Sequence, residues 1–229
     1  MSDGHKPSIR ASGGPFLAVK AQKSSVLAAP LPDGHKNCNP GGISFWNLVR
    51  EDLRTHNGDL LSQGFWVVFW HRFGNWRMSI RPKIVRGPFS LLYKLMFKLC
   101  EWMAGVKLSY NVPVGRRLRI EHFGGIVLGA RAIGHDVTVR QNVTLGISSK
   151  SDLRAKPVIG DHVDIGAGAV IVGDITIGRG AIIGANAVVT KSVPPYALVV
   201  GVPGRVIRYR DPAEIGDPPD RSDRPAPIS

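Results

Sequence analysis

Seven histidines, His5, His35, His56, His71, His122, His135 and His162, are the side chains of this 229-residue chain whose charge changes near neutral pH. They are the first candidates for moving a proton. His5 and His35 lie in a segment rich in Gly, Pro, Ser, Lys and Ala, and His71 lies in an aromatic helical pattern where packing is the expected role. His122 stands apart, because a carboxylate precedes it and two glycines follow in Ile120-Glu121-His122-Phe123-Gly124-Gly125, and glycines let a ligand approach the backbone. An imidazole with an ordinary pKa of about 6.5 can act as a general base at neutral pH, a contribution of about 10²–10⁴-fold in rate. A zinc site is the competing use of histidine. It would need three ligands to converge, and His122, His135 and His162 contain no close pair and have no cysteine near them.

The elements that must position His122 show themselves by an unusual period. Ile159, Ile165, Ile171, Ile177, Ile183 and Val189 fall six residues apart without a slip, and four residues after each stand Val163, Ala169, Ile175, Ala181, Ala187 and Val193. A helix returns apolar residues every three or four positions and a half-buried strand every two, so neither explains the spacing. Hexads of a short strand and a bend do explain it. Three hexads close a triangular coil of eighteen residues, which would stack Ile159 on Ile177 and Ile165 on Ile183 at about 4.8 Å. Upstream, Val114, Ile120 and Ile126 are in phase, and a one-residue slip then gives Ile133, Val139 and Leu145. Between Leu145 and Ile159 the period fails in GISSKSDLRAKPVI, which predicts an external loop.

Residues 43–106 read as helical. Ser44 is a candidate N-cap for a helix with Phe45, Leu48, Val49 and Leu53 on one stripe. A second helix would carry Phe65, Phe69, Phe73 and Trp76, and a third would begin at Pro88 and stop at Gly105. These aromatic stripes are expected to form core or subunit contacts rather than a membrane surface. Residues 1–42 and 211–229 read as disordered or loosely attached tails, and 107–210 as the repeat domain.

Composition limits the function. A net charge of +13 and a pI near 10.3 favour anionic ligands. The basic residues are spread along the chain, with neither the aromatic-interleaved patch of an RNA-binding sheet nor a helix-turn-helix, so nucleic acid is not expected as a partner. Cys38 and Cys100 make no disulfide framework, and the opening residues contain no apolar run of signal-peptide length. Lys94, Lys98 and Glu101 interrupt the longest apolar stretch, so no stable membrane span is expected. These features predict a cytoplasmic protein.

The stretch from Glu121 to Gly146 resembles the active-site coil of bacterial serine O-acetyltransferases. It contains Glu121-His122, then Gly125-Ile126-Val127-Leu128-Gly129, and ends in Gln141-Asn142-Val143-Thr144-Leu145-Gly146. The segment GFWVVFWHRFGNWRM is similar to that family's last N-terminal helices and VPPYALVVGVPGRVI to its C-terminal coil, so the resemblance spans roughly residues 44–208. It implies an all-β C-terminal left-handed parallel β-helix with a small α-helical N-terminal domain, and an acetyl-CoA-dependent O-acetyltransferase. His122 would be the general base in a direct transfer, with Glu121 beside it to orient the imidazole or hold the acceptor's amino group. Asp52 would be the acidic residue of the helical region that helps bind serine.

Acetyl-CoA, the co-substrate, would run between coils of two subunits, with Gly146 and Ser148 near the thioester and Ala167 and Ala185 along the pantetheine. On charge grounds Lys191 and Arg205 would meet its phosphates. Two departures bear on the acceptor. Asn111 stands where the family carries an Asp, and Ala155-Lys156-Pro157, with Arg154 one place earlier, replaces the Arg-His-Pro that recognises the serine carboxylate. Serine is the first acceptor implied and a sugar hydroxyl of a polysaccharide the alternative. The same resemblance implies a homotrimer or a dimer of trimers.

Overall fold

The computed structural model describes residues 36–149 and 153–216. The expected tails therefore fall mostly outside the described residues, as do His5 and His35. Residues 36–42 are an exception: the Cys38 amide donates to Asn75 Oδ1 (2.9 Å) and Asn39 Nδ2 to the Arg72 carbonyl (2.9 Å), which fastens this stretch to the helices.

Three helices come first: α1 (Phe45–Thr55), α2 (Gln63–Trp76) and α3 (Lys83–Met103). Ser44 caps α1 as expected, its hydroxyl accepting from the Asn47 amide, and Ser62 caps α2 in the same way. In α1 the buried positions are Leu48 and Asp52. In α2 the aromatic stripe is not the buried face. Of its members only Phe65 is fully buried, and Gly64, Val67, Val68, His71, Arg72 and Asn75 press inward instead. Phe69, Phe73 and Trp76 join Phe45 and Phe89 in an aromatic cluster beside the helices. Gly64 shows why bulky side chains are kept off the inner face, since a Cβ there would lie 2.4 Å from the Ile120 carbonyl oxygen.

Pro88 lies inside α3 rather than at its start. The carbonyl it leaves without a donor belongs to Ile84, which is 92% exposed, so water can satisfy it. The helix ends as expected, with Gly105 in the left-handed region after Ala104. No described helix is long and apolar enough to cross a membrane.

From Val106 onward short parallel strands wind into a triangular β-helix with three faces. The first face holds Val106–Lys107, Ile126–Leu128, Thr144–Gly146, Val170–Val172 and Val188–Val189. The second holds Ala132–Ile133, Val158–Ile159 and Thr176–Ile177, and the third holds Arg119–Ile120, Thr138–Val139, Asp164–Ile165, Ile182–Ile183 and Ala197–Val200. Strand Arg205–Tyr209 closes the third face antiparallel to Ala197–Val200. The predicted stacking holds: Ile177 pairs with Ile159 and Ile183 with Ile165, and all four have no exposed surface.

The upstream phase differs from the expectation in one place. Leu128, and not Ile126, lies opposite Leu145, while Ile120 lies opposite Val139. The turn from the third face to the first therefore spans eight residues from Ile120 to Leu128, where the equivalent step from Val139 to Leu145 takes six. The two additional residues fall in the corner that contains His122, and Ile126 is still buried as an extra filler.

Candidate active site

The widened corner fixes where His122 points. His122 has φ 63°, a left-handed conformation uncommon for a residue with a side chain, and it is exposed. Regular corners place their left-handed residue three positions after the inward aliphatic, as at Asn142, Gly168 and Asn186, and His122 is only two positions after Ile120. Among the described residues its ring has no hydrogen-bond or ion-pair partner. Gly124 and Gly125, both with positive φ, complete the detour. At Gly125 a Cβ would sit 2.3 Å from Asn142 Oδ1, so the next coil requires glycine there.

Glu121 is half-buried and held by two arginines: Arg119 Nε approaches one carboxylate oxygen at 2.9 Å and Arg140 Nε the other at 3.1 Å. Arg140 in turn pairs with Asp164. These arginines were not singled out in the sequence. The signal for Arg140 was its 19-residue offset from Glu121, which is the register of the coils.

In register with His122, successive coils place Gln141, Ala167 and Ala185 in one column along the third-to-first edge. The Gly168 amide donates to the Gln141 carbonyl (2.9 Å) and the Asn186 amide to the Ala167 carbonyl (2.8 Å), which ties the column together. Small side chains at Ala167 and Ala185 keep it shallow.

Asn111, Gly146, Ser148, Arg154, Lys156 and Lys191 belong to a different edge, where the chain passes from the first face to the second, whereas Arg205 opens the antiparallel strand on the third face. Gly146 ends a first-face strand, and a Cβ there would meet nothing within 4 Å. Ser148 lies close above Gly173, whose Cβ would be 3.6 Å from its Oγ. The expected external loop leaves here; Arg154 is exposed, Lys156 is half-buried, and the Lys156 amide donates to the Arg154 carbonyl (2.8 Å). Asn111 is exposed on the same edge of the first coil. Lys191 and Arg205 meet in one recess of about 280 Å³, with Thr190, Ser192 and Gly204 also lining it.

Asp52 is placed differently from the expectation that it meets the acceptor. It has no exposed surface, and its carboxylate is engaged by the equally buried Arg72, with Nε at 2.9 Å and Nη2 at 3.5 Å. Burial pushes this carboxyl above the usual carboxylate range, against the pull of Arg72. Arg72 also donates to the carbonyls of Val114 (2.8 Å) and Gly115 (2.6 Å), so the pair fastens the helices to the first coil. His135 and His162 lie on the second-to-third edge, away from His122, where His135 Nδ1 accepts from the Arg116 amide (3.0 Å) and His162 approaches Asp136 at 3.7 Å.

Triangular coils of hexads, with an exposed histidine in a single irregular corner, define a hexapeptide-repeat transferase. Residues 156–191 match the family model described as bacterial transferase hexapeptide (six repeats). The chain is 38% identical over 154 residues to the serine acetyltransferase of Staphylococcus xylosus, which covers 67% of this chain and 71% of that protein. It therefore belongs to the serine acetyltransferase family, and its β-helix is left-handed. Soybean serine acetyltransferase complexed with serine superposes with a TM-score of 0.60 at 32% identity, covering 72% of this chain and 70% of that one. A serine acetyltransferase in complex with CoA superposes with a TM-score of 0.57 at 27% identity, covering 72% and 70%.

Proposed function

We propose that the chain transfers the acetyl group of acetyl-CoA to the hydroxyl of L-serine, giving O-acetylserine and free CoA, a step of cysteine synthesis in the cytoplasm. The observation that carries this reading is the exposed His122 at the head of a shallow column of Gln141, Ala167 and Ala185. His122 takes the hydroxyl proton as the serine oxygen attacks the thioester carbonyl. The tetrahedral intermediate then expels the CoA thiolate, which recovers that proton from the imidazolium, so no acetyl-enzyme forms. Glu121, which Arg119 and Arg140 hold, orients the imidazole or takes the serine ammonium. Asn111, Arg154 and Lys156 bind the acceptor, the two cations its carboxylate.

Gly146 and Ser148 flank the thioester, Ala167 and Ala185 the pantetheine, and Lys191 and Arg205 the phosphates. These groups occupy two edges of the prism, separated by the first face. One edge supplies His122, Glu121, Ala167 and Ala185, and the other supplies Asn111, Gly146, Ser148, Arg154, Lys156 and Lys191. A complete site therefore joins one protomer's third-to-first edge to its neighbour's first-to-second edge, as a homotrimer, or a dimer of trimers, would arrange them. Asp52 acts at a distance, by holding the helices on the coil.

The test is release of CoA thiol from acetyl-CoA with serine, homoserine or a panel of sugars. Serine should be the preferred acceptor, and His122→Ala should lower kcat by about 10²–10⁴-fold with the fold intact. Turnover on a sugar with none on serine, or an unchanged His122→Ala, overturns the assignment.

A further inference from the structure

Arg77 is 7% exposed, yet no carboxylate pairs with it among the described residues. Its guanidinium lies between the rings of Tyr93 and Tyr110, 4.6 Å from each centroid, and Nη1 donates to Ser90 Oγ at 3.0 Å. Nε is buried without any partner. A guanidinium presents five donors, and a buried donor left unmet is destabilising, so this arrangement calls for an acceptor. Arg77 lines a recess of about 410 Å³ whose other walls are Met78, Arg86, Ser90, Tyr93, Lys94 and Tyr110. That volume lies within the range of small-ligand pockets. Among the described residues Arg86 and Lys94 also have no ion pair, and no acid lines the recess, so three cations and a hydroxyl face one space.

We propose that this recess is a second anion site and takes a phosphate group. The planar guanidinium and two further cations suit a phosphoryl group, whose several oxygens accept from more than one donor at once. Tyr93 and Tyr110 hold the guanidinium in position, and the Tyr93 hydroxyl is itself engaged by the Tyr110 amide at 3.2 Å. The recess is separate from the one that contains Lys191 and Arg205. Beside it, α3 exposes Ile84, Leu91, Leu95 and Trp102 on one stripe, at 92%, 71%, 61% and 82%. A phosphate at the mouth of this pocket can thus belong either to a free anion or to a lipid headgroup whose chains meet that stripe.

The experiment uses the full chain and two probes, pyrophosphate in titration calorimetry and vesicles of phosphatidylglycerol against phosphatidylcholine in co-sedimentation. The expected result is binding of pyrophosphate, of phosphatidylglycerol vesicles, or of both, with a component that is at least tenfold weaker in Arg86→Gln/Lys94→Gln and is retained in Lys191→Gln/Arg205→Gln, where only the binding due to the groups assigned to the CoA phosphates is lost. Binding of the vesicles alone assigns the phosphate to a lipid, and binding of pyrophosphate alone to a soluble ligand. Lys94 is exposed and Arg86 half-buried, and neither has an ion pair among the described residues to lose, so the fold of the first double variant is preserved; Arg77→Met, which disturbs the tyrosine sandwich, serves as a second variant. Transfer of acetyl to serine should be unchanged in Arg86→Gln/Lys94→Gln, which keeps this result independent of the catalytic assignment. No binding of either probe, loss only in the Lys191→Gln/Arg205→Gln variant, or a matching loss of serine turnover in Arg86→Gln/Lys94→Gln, overturns the proposal.

Discussion

Replacing Asp52 by alanine removes one half of a pair whose two side chains have no exposed surface. Arg72 would keep the carbonyls of Val114 and Gly115 but lose the one carboxylate paired with it among the described residues. Breaking a buried pair from one side costs about 3–5 kcal/mol, because the surviving charge is left uncompensated. A whole domain is stable by only about 5–15 kcal/mol, so the loss is a large share. At about 2–4 °C per kcal/mol for a chain of this length, the melting temperature should fall by about 6–20 °C.

Asp52→Leu/Arg72→Met should recover at least about 2 kcal/mol relative to Asp52→Ala, since no charge remains buried. It should still fall short of the wild type, as the buried Val114 carbonyl loses its donor at about 1–3 kcal/mol. Urea denaturation of the wild type, Asp52→Leu, Arg72→Met and the double variant at one protein concentration gives the cycle. If Asp52→Ala unfolds within 1 kcal/mol, roughly, of the wild type, or if the two single losses simply add, the pair is not the clamp described. A further arm separates structure from binding. If Asp52→Asn leaves stability unchanged but raises KM for serine, the carboxylate meets the acceptor after all.

Acid should loosen the same junction. His71 is fully buried, donates through Nε2 to the Val112 carbonyl (2.9 Å), and burial lowers its pKa to about 3. Its unfolded pKa is about 6.5, so between these values the unfolded chain binds the proton and stability falls as pH falls; at pH 5 the loss from His71 alone is about 2 kcal/mol, readable as a melting shift between pH 7.5 and 5. His56, also lowered by burial, adds to this slope, and Glu51, held below its ordinary value by Arg116, gives a second loss as pH drops through the carboxylate range. Gly146→Ala should melt like the wild type, because its Cβ meets nothing of its own chain, yet raise KM for acetyl-CoA; an unchanged KM would remove Gly146 from the groove. Gly166→Ala should behave oppositely, since its Cβ would lie 2.6 Å from the Ala185 amide nitrogen, and a melting temperature equal to the wild type would show that the coils part without cost. Lys191→Gln/Arg205→Gln should raise KM for acetyl-CoA and leave KM for serine unchanged in steady-state assays.

The amino-acid sequence by itself determined the repeat. A hexad places one aliphatic residue inward per bend, so Ile159, Ile165, Ile177 and Ile183 announced both the coil and its stacking partners before any coordinate was known. It also marked His122, through the carboxylate and the glycines around it, and the Ser44 cap, because both signals lie within a few consecutive residues. What it did not determine depends on contacts between residues far apart in the chain. The eight-residue corner appears only when Leu128, rather than Ile126, is seen to lie opposite Leu145, and both are apolar residues that a period alone cannot rank. Asp52 was expected, from the family resemblance, to help bind the acceptor, and only the approach of Arg72 from α2, twenty residues on, shows it as one half of a buried pair. The separation of His122 and Ala167 from Gly146 and Lys156 onto two edges of the prism was likewise decided by the winding of the coils, since neighbours in sequence separate at each bend while residues about eighteen apart come into contact.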